Sequence, residues 1–94
     1  MSQSKVPNQL LVIRRKHGLS RKQVAAALGC SQRTVSHYEQ GSVTPRLGTL
    51  LQLEVLYQLP VAYLYQDLYA ELRERINAVL GRTRRRTAEE VPHA

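Results

Sequence analysis

The sequence predicts an all-α fold of five helices, the last of which is extended at its C-terminal end. No stretch alternates apolar and polar residues with β-branched enrichment, and no Asn-Gly or Asp-Gly pair indicates a hairpin. Apolar residues instead recur at helical spacing in five segments. Glycine, proline and serine separate these segments at positions that suit the starts and ends of helices.

Composition restricts the class of protein. The chain has 94 residues, with 14 Lys plus Arg against 7 Asp plus Glu and a net charge of +7. No apolar run approaches the roughly 20 residues of a membrane span, and the first residues lack the pattern of a signal peptide. Cys30 is the single cysteine, so no internal disulfide forms. We expect one small, cytoplasmic domain that does not associate with membranes and binds a polyanion, nucleic acid first.

The positive charge is concentrated in the first half of the chain. Residues 1–46 hold eight Lys or Arg and one acid, which gives +7, whereas residues 47–81 have a net charge of −2. Residues 82–94 have a net charge of +2. The first half is therefore the predicted polyanion-binding part, with a merely solvated basic surface as the alternative.

The first two predicted helices have clear boundaries. Helix one is predicted from Pro7 or Asn8 to Lys16. Helix two begins after Ser20, whose hydroxyl can accept from the backbone N–H of Gln23 in a capping box. It ends at a glycine, residue 29.

A third helix is predicted from Ser31 as its N-cap to about Gln40, with Gly41 closing it. Two short helices joined by a glycine-containing turn, with the second polar on its outer face, form a helix-turn-helix. The outer-face residues of the second helix are Gln32, Arg33, Ser36, His37 and Gln40.

The remaining chain is predicted to contain two more helices. Helix four begins at Pro45 or Arg46, and Pro60 marks its far boundary. The final helix covers about residues 61–80 and ends at Gly81. Residues 82–94 show no periodicity and are predicted to be disordered.

The segment from Leu19 to Gly41 resembles the lambda-repressor/Cro type of helix-turn-helix, also called the xenobiotic-response-element family. The resemblance covers about residues 8–68, and the matching positions are Gly18, Leu19, Ser20, Val24, Ala25, Leu28, Gly29, Ser31, Thr34, Val35, Ser36, Tyr38, Glu39, Gly41 and Pro45. It implies a lambda-repressor-like DNA-binding domain over residues 1–68. The extended C-terminal helix then covers residues 61–81.

The resemblance also implies that the helix beginning at Gln32 enters the major groove of double-stranded DNA. The implied base-reading residues are Gln32, Arg33, Ser36 and His37. The implied contacts to the DNA backbone come from Arg21, Thr34 and Arg46, with Thr34 alternatively packing at the rim. Ordinary solvated helix residues are the alternative for Gln32 and Arg33.

Arg14 and Glu39 match a partly buried ion pair of the family, which would fix helix one against helix three. Three later residues depart from the family's pattern. Glu54 stands where a small alanine is usual, Gln58 where glycine often ends helix four, and Pro60 where serine or threonine often caps helix five. These departures concern the packing of helices four and five.

A heptad-spaced seam lies along the last helix and comprises Tyr65, Tyr69, Leu72, Ile76 and Val79. Apolar residues on a projecting helix need a partner, so we expect a homodimer formed through residues 65–80. Folding back onto the same domain is the alternative. The Arg82–Arg86 cluster either adds phosphate contacts or belongs to a solvated tail.

Together these features predict a sequence-specific transcriptional regulator, typically a repressor that binds an inverted-repeat operator as a dimer in the nucleoid. The alternatives are an antitoxin that binds DNA and a protein partner, and a bridging or nucleoid-type DNA binder. No cofactor is expected. Neither is a metal, because His17, His37 and His93 are too dispersed to form a set with Cys30. No catalytic motif is visible, so an enzyme is not expected.

Overall fold

A computed structural model describes the backbone of residues 5–90 and the side chains of residues 5–81. Within that part of the chain all regular structure is helical, which confirms the predicted all-α class. The helices are α1 (Leu10–Lys16), α2 (Arg21–Leu28), α3 (Gln32–Gln40), α4 (Leu47–Tyr57), α5 (Val61–Leu64) and α6 (Gln66–Glu90).

The first helix begins later than the sequence predicts, at Leu10 instead of residue 7 or 8. Asn8 explains the delay, because its Oδ1 atom accepts from the backbone N–H of Leu10 at 3.0 Å. The Asn8 side-chain amide also donates to the carbonyl oxygens of Val6 and Tyr38, each at 3.1 Å. These bonds hold the residues before α1 outside the helix and against the end of α3.

The N-terminal segment also contacts the residue that ends α3. The backbone N–H of Val6 donates to the carbonyl oxygen of Gly41 at 2.9 Å. Gly41 has a left-handed φ of 78°, and a Cβ atom at this position would lie 2.3 Å from the carbonyl oxygen of Val6. Both the backbone conformation and the space therefore require glycine.

The last predicted helix is divided in two at Tyr65, which has non-helical angles of φ −120° and ψ 43°. Leu64 and Tyr65 are adjacent in sequence, and both are buried, at 0% and 6% exposure. On one straight helix adjacent side chains point about 100° apart. The change of direction at Tyr65 allows both to enter the core, which a pattern search for one continuous helix cannot detect.

Two of the residues that depart from the family's pattern act together at the start of α5, where Glu54 supplies the hydrogen bond that Pro60 cannot. Pro60 provides no side-chain cap for α5. Instead, Oε1 of Glu54 accepts from the backbone N–H of Val61 at 3.1 Å. Gln58 ends α4 in a left-handed conformation with φ 57°, and its side-chain amide donates to the carbonyl oxygen of Val55.

The C-terminal end of α6 differs from the expected disordered tail. Non-helical angles at Gly81 (φ 50°, ψ −126°) interrupt α6 where the sequence predicts its end. The backbone is nevertheless helical again to Glu90, in a segment that contains four arginines and two glutamates, residue types that favour helix. Residues 91–94, and the side chains of the Arg82–Arg86 cluster, lie outside the described part of the chain.

One hydrophobic core joins the first five helices and the start of α6. Its apolar members are Leu10, Ile13, Val24, Ala25, Val35, Leu53, Tyr57, Leu64 and Tyr65. The helix-turn-helix therefore rests on a scaffold made by α1, α4 and α5, and Gln32 and Arg33 at the start of α3 are exposed.

Candidate nucleic-acid interface

The α2–turn–α3 unit is held by caps at both helix starts. Oγ of Ser20 accepts from the backbone N–H of Gln23 at 3.1 Å, and Oε1 of Gln23 accepts from the N–H of Ser20 at 2.8 Å. Oγ of Ser31 accepts from the N–H of Thr34 at 3.1 Å. Gly29 forms the turn between the helices with a φ of 74°. These features confirm the predicted capping box and the predicted boundaries of α2 and α3.

The core fixes which side of α3 faces outward. Val35 is 2% exposed and packs with Val24 and Ala25 of α2. Four polar residues lie on the other side of α3, at positions i, i+1, i+4 and i+5, which share one helix face. They are Gln32 and Arg33, which are exposed, and Ser36 and His37, which are half-buried. The structure thus brings the four predicted base-reading residues together.

Thr34 lies at the edge of this face and is half-buried. Its hydroxyl oxygen lies 3.0 Å from Oγ of Ser31, so it is part of the cap of α3. If Thr34 contacts a phosphate, the same hydroxyl group must serve both the phosphate and the hydrogen bond with Ser31. The contact between Thr34 and DNA stays a prediction.

Exposed arginines stand at the starts of three helices. Arg21 is the first residue of α2, Arg33 the second residue of α3, and Arg46 the N-cap of α4. None of these helices has an acidic residue in its first turn. The N-terminal end of a helix has a partial positive charge, so basic residues there reinforce the attraction for an anion.

A buried ion pair joins α1 to the end of α3, as the family resemblance implies. Nε of Arg14 lies 2.5 Å from Oε2 of Glu39, and the two side chains are 9% and 5% exposed. A second nitrogen of Arg14 donates to the carbonyl oxygen of Leu19 at 3.0 Å. The hydrogen bond with Glu39 raises the pKa of Arg14, against the opposing effect of its burial.

The sequence did not reveal that Arg21 also approaches Glu39. Nε of Arg21 lies 3.6 Å from Oε1 of Glu39, although the Arg21 side chain is 47% exposed. The residues are 18 positions apart, and only the packing of α2 on α3 brings them together. No pattern within one or two helical turns of the sequence indicates this contact.

The five residues of the predicted dimerisation seam differ in their exposure: four are exposed and one is buried. Tyr69, Leu72, Ile76 and Val79 are 51%, 40%, 49% and 81% exposed. Tyr65, in contrast, is a core residue at 6% exposure and offers little surface to a second chain. Its side chain belongs to the core cluster, at the point where the chain changes direction between α5 and α6.

An apolar cavity of about 330 Å³ lies beside the seam, between α4, α5 and α6. Leu50, Ala62 and Leu68 line it together with Tyr69 and Leu72. The exposed apolar face of α6 is therefore continuous with a groove on the body of the domain.

The described residues include no group of three or more His, Cys, Asp or Glu that could hold a metal ion. None of its helices combines the length and apolar character that a membrane span needs. Burial raises the pKa of the Cys30 thiol, which favours the protonated, unreactive form.

The capped helix pair, its polar outer face and its buried scaffold define a helix-turn-helix domain. The family model for this helix-turn-helix matches residues 11–64, and the chain belongs to the Cro/C1-type helix-turn-helix family. The chain is also similar to the cryptic phage CTXphi transcriptional repressor RstR of Vibrio cholerae, at 29% identity over 66 residues. That match covers 70% of this chain and 60% of the length of the repressor.

Proposed function

We propose that this protein is a transcriptional regulator that binds double-stranded DNA at a specific sequence and represses transcription. The observation that supports it most directly is the outer face of α3, where Gln32, Arg33, Ser36 and His37 lie together on a helix whose N-terminus is exposed. The net charge of +7 over residues 1–46 matches a polyanionic partner. The similarity to a phage repressor supports repression as the outcome of binding.

The residue types on α3 suit direct recognition of base edges. Gln32 can form two hydrogen bonds with N6 and N7 of adenine, and Arg33 can do so with O6 and N7 of guanine. Ser36 and His37 lie one turn further along the groove and contact bases or phosphate there.

Arg21, Thr34 and Arg46 are the proposed contacts to the DNA backbone. Such contacts set the position and orientation of the domain on the duplex without specifying its sequence. Arg21 is the first residue of α2, which precedes α3, and Arg46 is the N-cap of α4, which follows it. From these positions they can contact phosphates that flank the groove.

We further propose a homodimer formed through α6, with Tyr69, Leu72, Ile76 and Val79 at the interface. Exposed apolar side chains in a continuous row indicate a protein contact. A two-fold dimer would bind an inverted repeat with half-sites about one DNA turn apart, roughly 10 bp or a multiple.

Sedimentation tests the dimer. The double variant Leu72→Glu/Ile76→Glu places two charges on the seam, and we expect its mass to fall from two chains to one. Val12→Glu is the matched control, because Val12 is a similarly exposed apolar residue (48%) on α1. An unchanged mass for the double variant would exclude this interface.

Selection of bound DNA from a random pool tests the proposed function. We expect enrichment of one inverted repeat and a footprint that covers both half-sites. Binding without an enriched sequence would instead identify a nucleoid-type binder. Absence of DNA binding would exclude both.

A further inference from the structure

The carboxylate of Glu39 lies between two arginine side chains with different environments. Arg14 is buried and donates to it through Nε and, at 3.3 Å, through Nη2. Arg21 approaches Oε1 from the solvent side at 3.6 Å. One buried acid therefore faces two cations, and the group of three has a net positive charge.

Only one edge of the Arg21 guanidinium faces the acid. Nε is the atom nearest to Glu39, whereas about half of the side chain is exposed. A guanidinium has five N–H donors in a planar fork, and four of them belong to the two Nη atoms. The Nη edge is thus available to a phosphate while Nε remains beside Glu39.

The position of Arg21 is unfavourable for α2 in the absence of an anion. Arg21 and Lys22 occupy the first turn of α2, where positive charge opposes the helix dipole. Glu39 comes from another helix and supplies the only nearby ion pair that the described residues show for Arg21. The acid therefore both offsets this charge and restricts the orientation of the side chain.

We propose that Glu39 is a positioning residue for DNA binding: it orients Arg21 for a bidentate contact with a backbone phosphate. This inference rests on the proposed function, because it assumes that Arg21 contacts DNA. It adds a role for Glu39 beyond its pairing with Arg14. Orientation before binding raises affinity because less side-chain freedom is lost in the complex.

A double-mutant cycle measures this coupling on the full chain, using a duplex obtained by the selection experiment. Arg21→Ala is made in the wild type and in Glu39→Gln, which retains an oxygen acceptor for Arg14. We expect Arg21→Ala to weaken binding roughly ten-fold in the wild type. In the Glu39→Gln background, where the orientation of Arg21 is lost, we expect a loss of less than about three-fold.

Arg46→Ala is the matched control for the cycle. It removes a proposed phosphate contact outside the Arg14–Glu39–Arg21 group, so its effect should be equal in both backgrounds. Equal losses for Arg21→Ala in both backgrounds would overturn the positioning role and leave the proposed function intact. No loss for either Arg21→Ala or Arg46→Ala would contradict the proposed backbone contacts themselves.

A second comparison remains decisive if Glu39→Gln does not fold. Arg21→Lys preserves the positive charge but removes the planar guanidinium. A lysine ammonium at this position cannot contact Glu39 and also donate two parallel hydrogen bonds to one phosphate. We expect a loss of about five-fold for Arg21→Lys and less than about two-fold for Arg46→Lys. Equal effects of the two lysine variants would overturn the proposal.

Discussion

Nε of Arg14 lies 2.5 Å from Oε2 of Glu39, in an ion pair that joins α1 to the last turn of α3. The contact spans 25 positions in sequence, and almost none of either side chain is exposed. Arg14 also donates to the carbonyl oxygen of Leu19, just before the cap of α2. One side chain thus connects α1 with both ends of the helix-turn-helix.

Removal of Glu39 should destabilise the domain strongly. Glu39→Ala leaves the Arg14 guanidinium buried without its anion, a change that costs about 3–5 kcal/mol. Thermal and denaturant unfolding measure the loss. The control is Glu71→Ala, which breaks an exposed pair with Arg75 and should change stability by less than about 1 kcal/mol. A melting temperature unchanged by Glu39→Ala would contradict the structural role of the pair.

Replacement of Tyr65 by phenylalanine should stabilise the fold. The Tyr65 hydroxyl is buried and has no hydrogen-bond partner among the described residues. Its removal relieves a desolvation penalty of about 1 kcal/mol while the ring continues to fill the core. Denaturant unfolding of Tyr65→Phe checks this, and a loss of stability of that size would show that the hydroxyl does have a partner.

Alkaline pH should destabilise the protein through its buried tyrosines. Burial raises the pKa of Tyr57 and of Tyr65 to about 12, from an ordinary value of 10.0. The unfolded chain therefore loses these protons first. The stabilisation is complete below pH 10 and is lost as pH rises to about 12. We expect the denaturant concentration at the midpoint of unfolding to fall between pH 10 and about pH 12. The fall should be smaller in Tyr65→Phe, and an identical fall in that variant would contradict the raised pKa of Tyr65.

Two glycines with similar backbone angles should differ in their response to alanine. Gly29 and Gly41 have φ values of 74° and 78°, so alanine is strained at both. A Cβ atom at position 29 meets no atom within 4 Å, whereas at position 41 it would lie 2.3 Å from the carbonyl oxygen of Val6. Gly29→Ala should cost about 1 kcal/mol, and Gly41→Ala at least about twice as much, since the N-terminal segment must move. Comparison of the two variants by denaturant unfolding checks this, and equal costs would mean that the Val6–Gly41 contact contributes little.

Local rules were sufficient for the helix-turn-helix. The serine caps, the glycines at positions 29 and 41, and the polar face of α3 depend on residues within one or two helical turns, so the sequence predicted them correctly. The Arg14–Glu39 pair was predicted through the family resemblance, because no local pattern joins residues 25 positions apart.

Features that depend on tertiary packing were missed. The late start of α1 follows from a bond between Asn8 and the end of α3, and the interruption at Tyr65 follows from the burial of two adjacent side chains. The bond from Val61 to Glu54 compensates for Pro60 across a turn between helices. The approach of Arg21 to Glu39 likewise requires α2 to be packed on α3.

Recognition of base edges by α3 is tested most directly by the binding of Arg33→Ala to the selected operator and to its single-base variants. We predict a loss of about 1–3 kcal/mol and a relaxed preference at one base pair in each half-site. Arg46→Ala should weaken binding evenly across all sequences and leave the preference unchanged. If Arg33→Ala retains both the affinity and the base preference of the wild type, the assignment of base reading to this face of α3 is contradicted at Arg33.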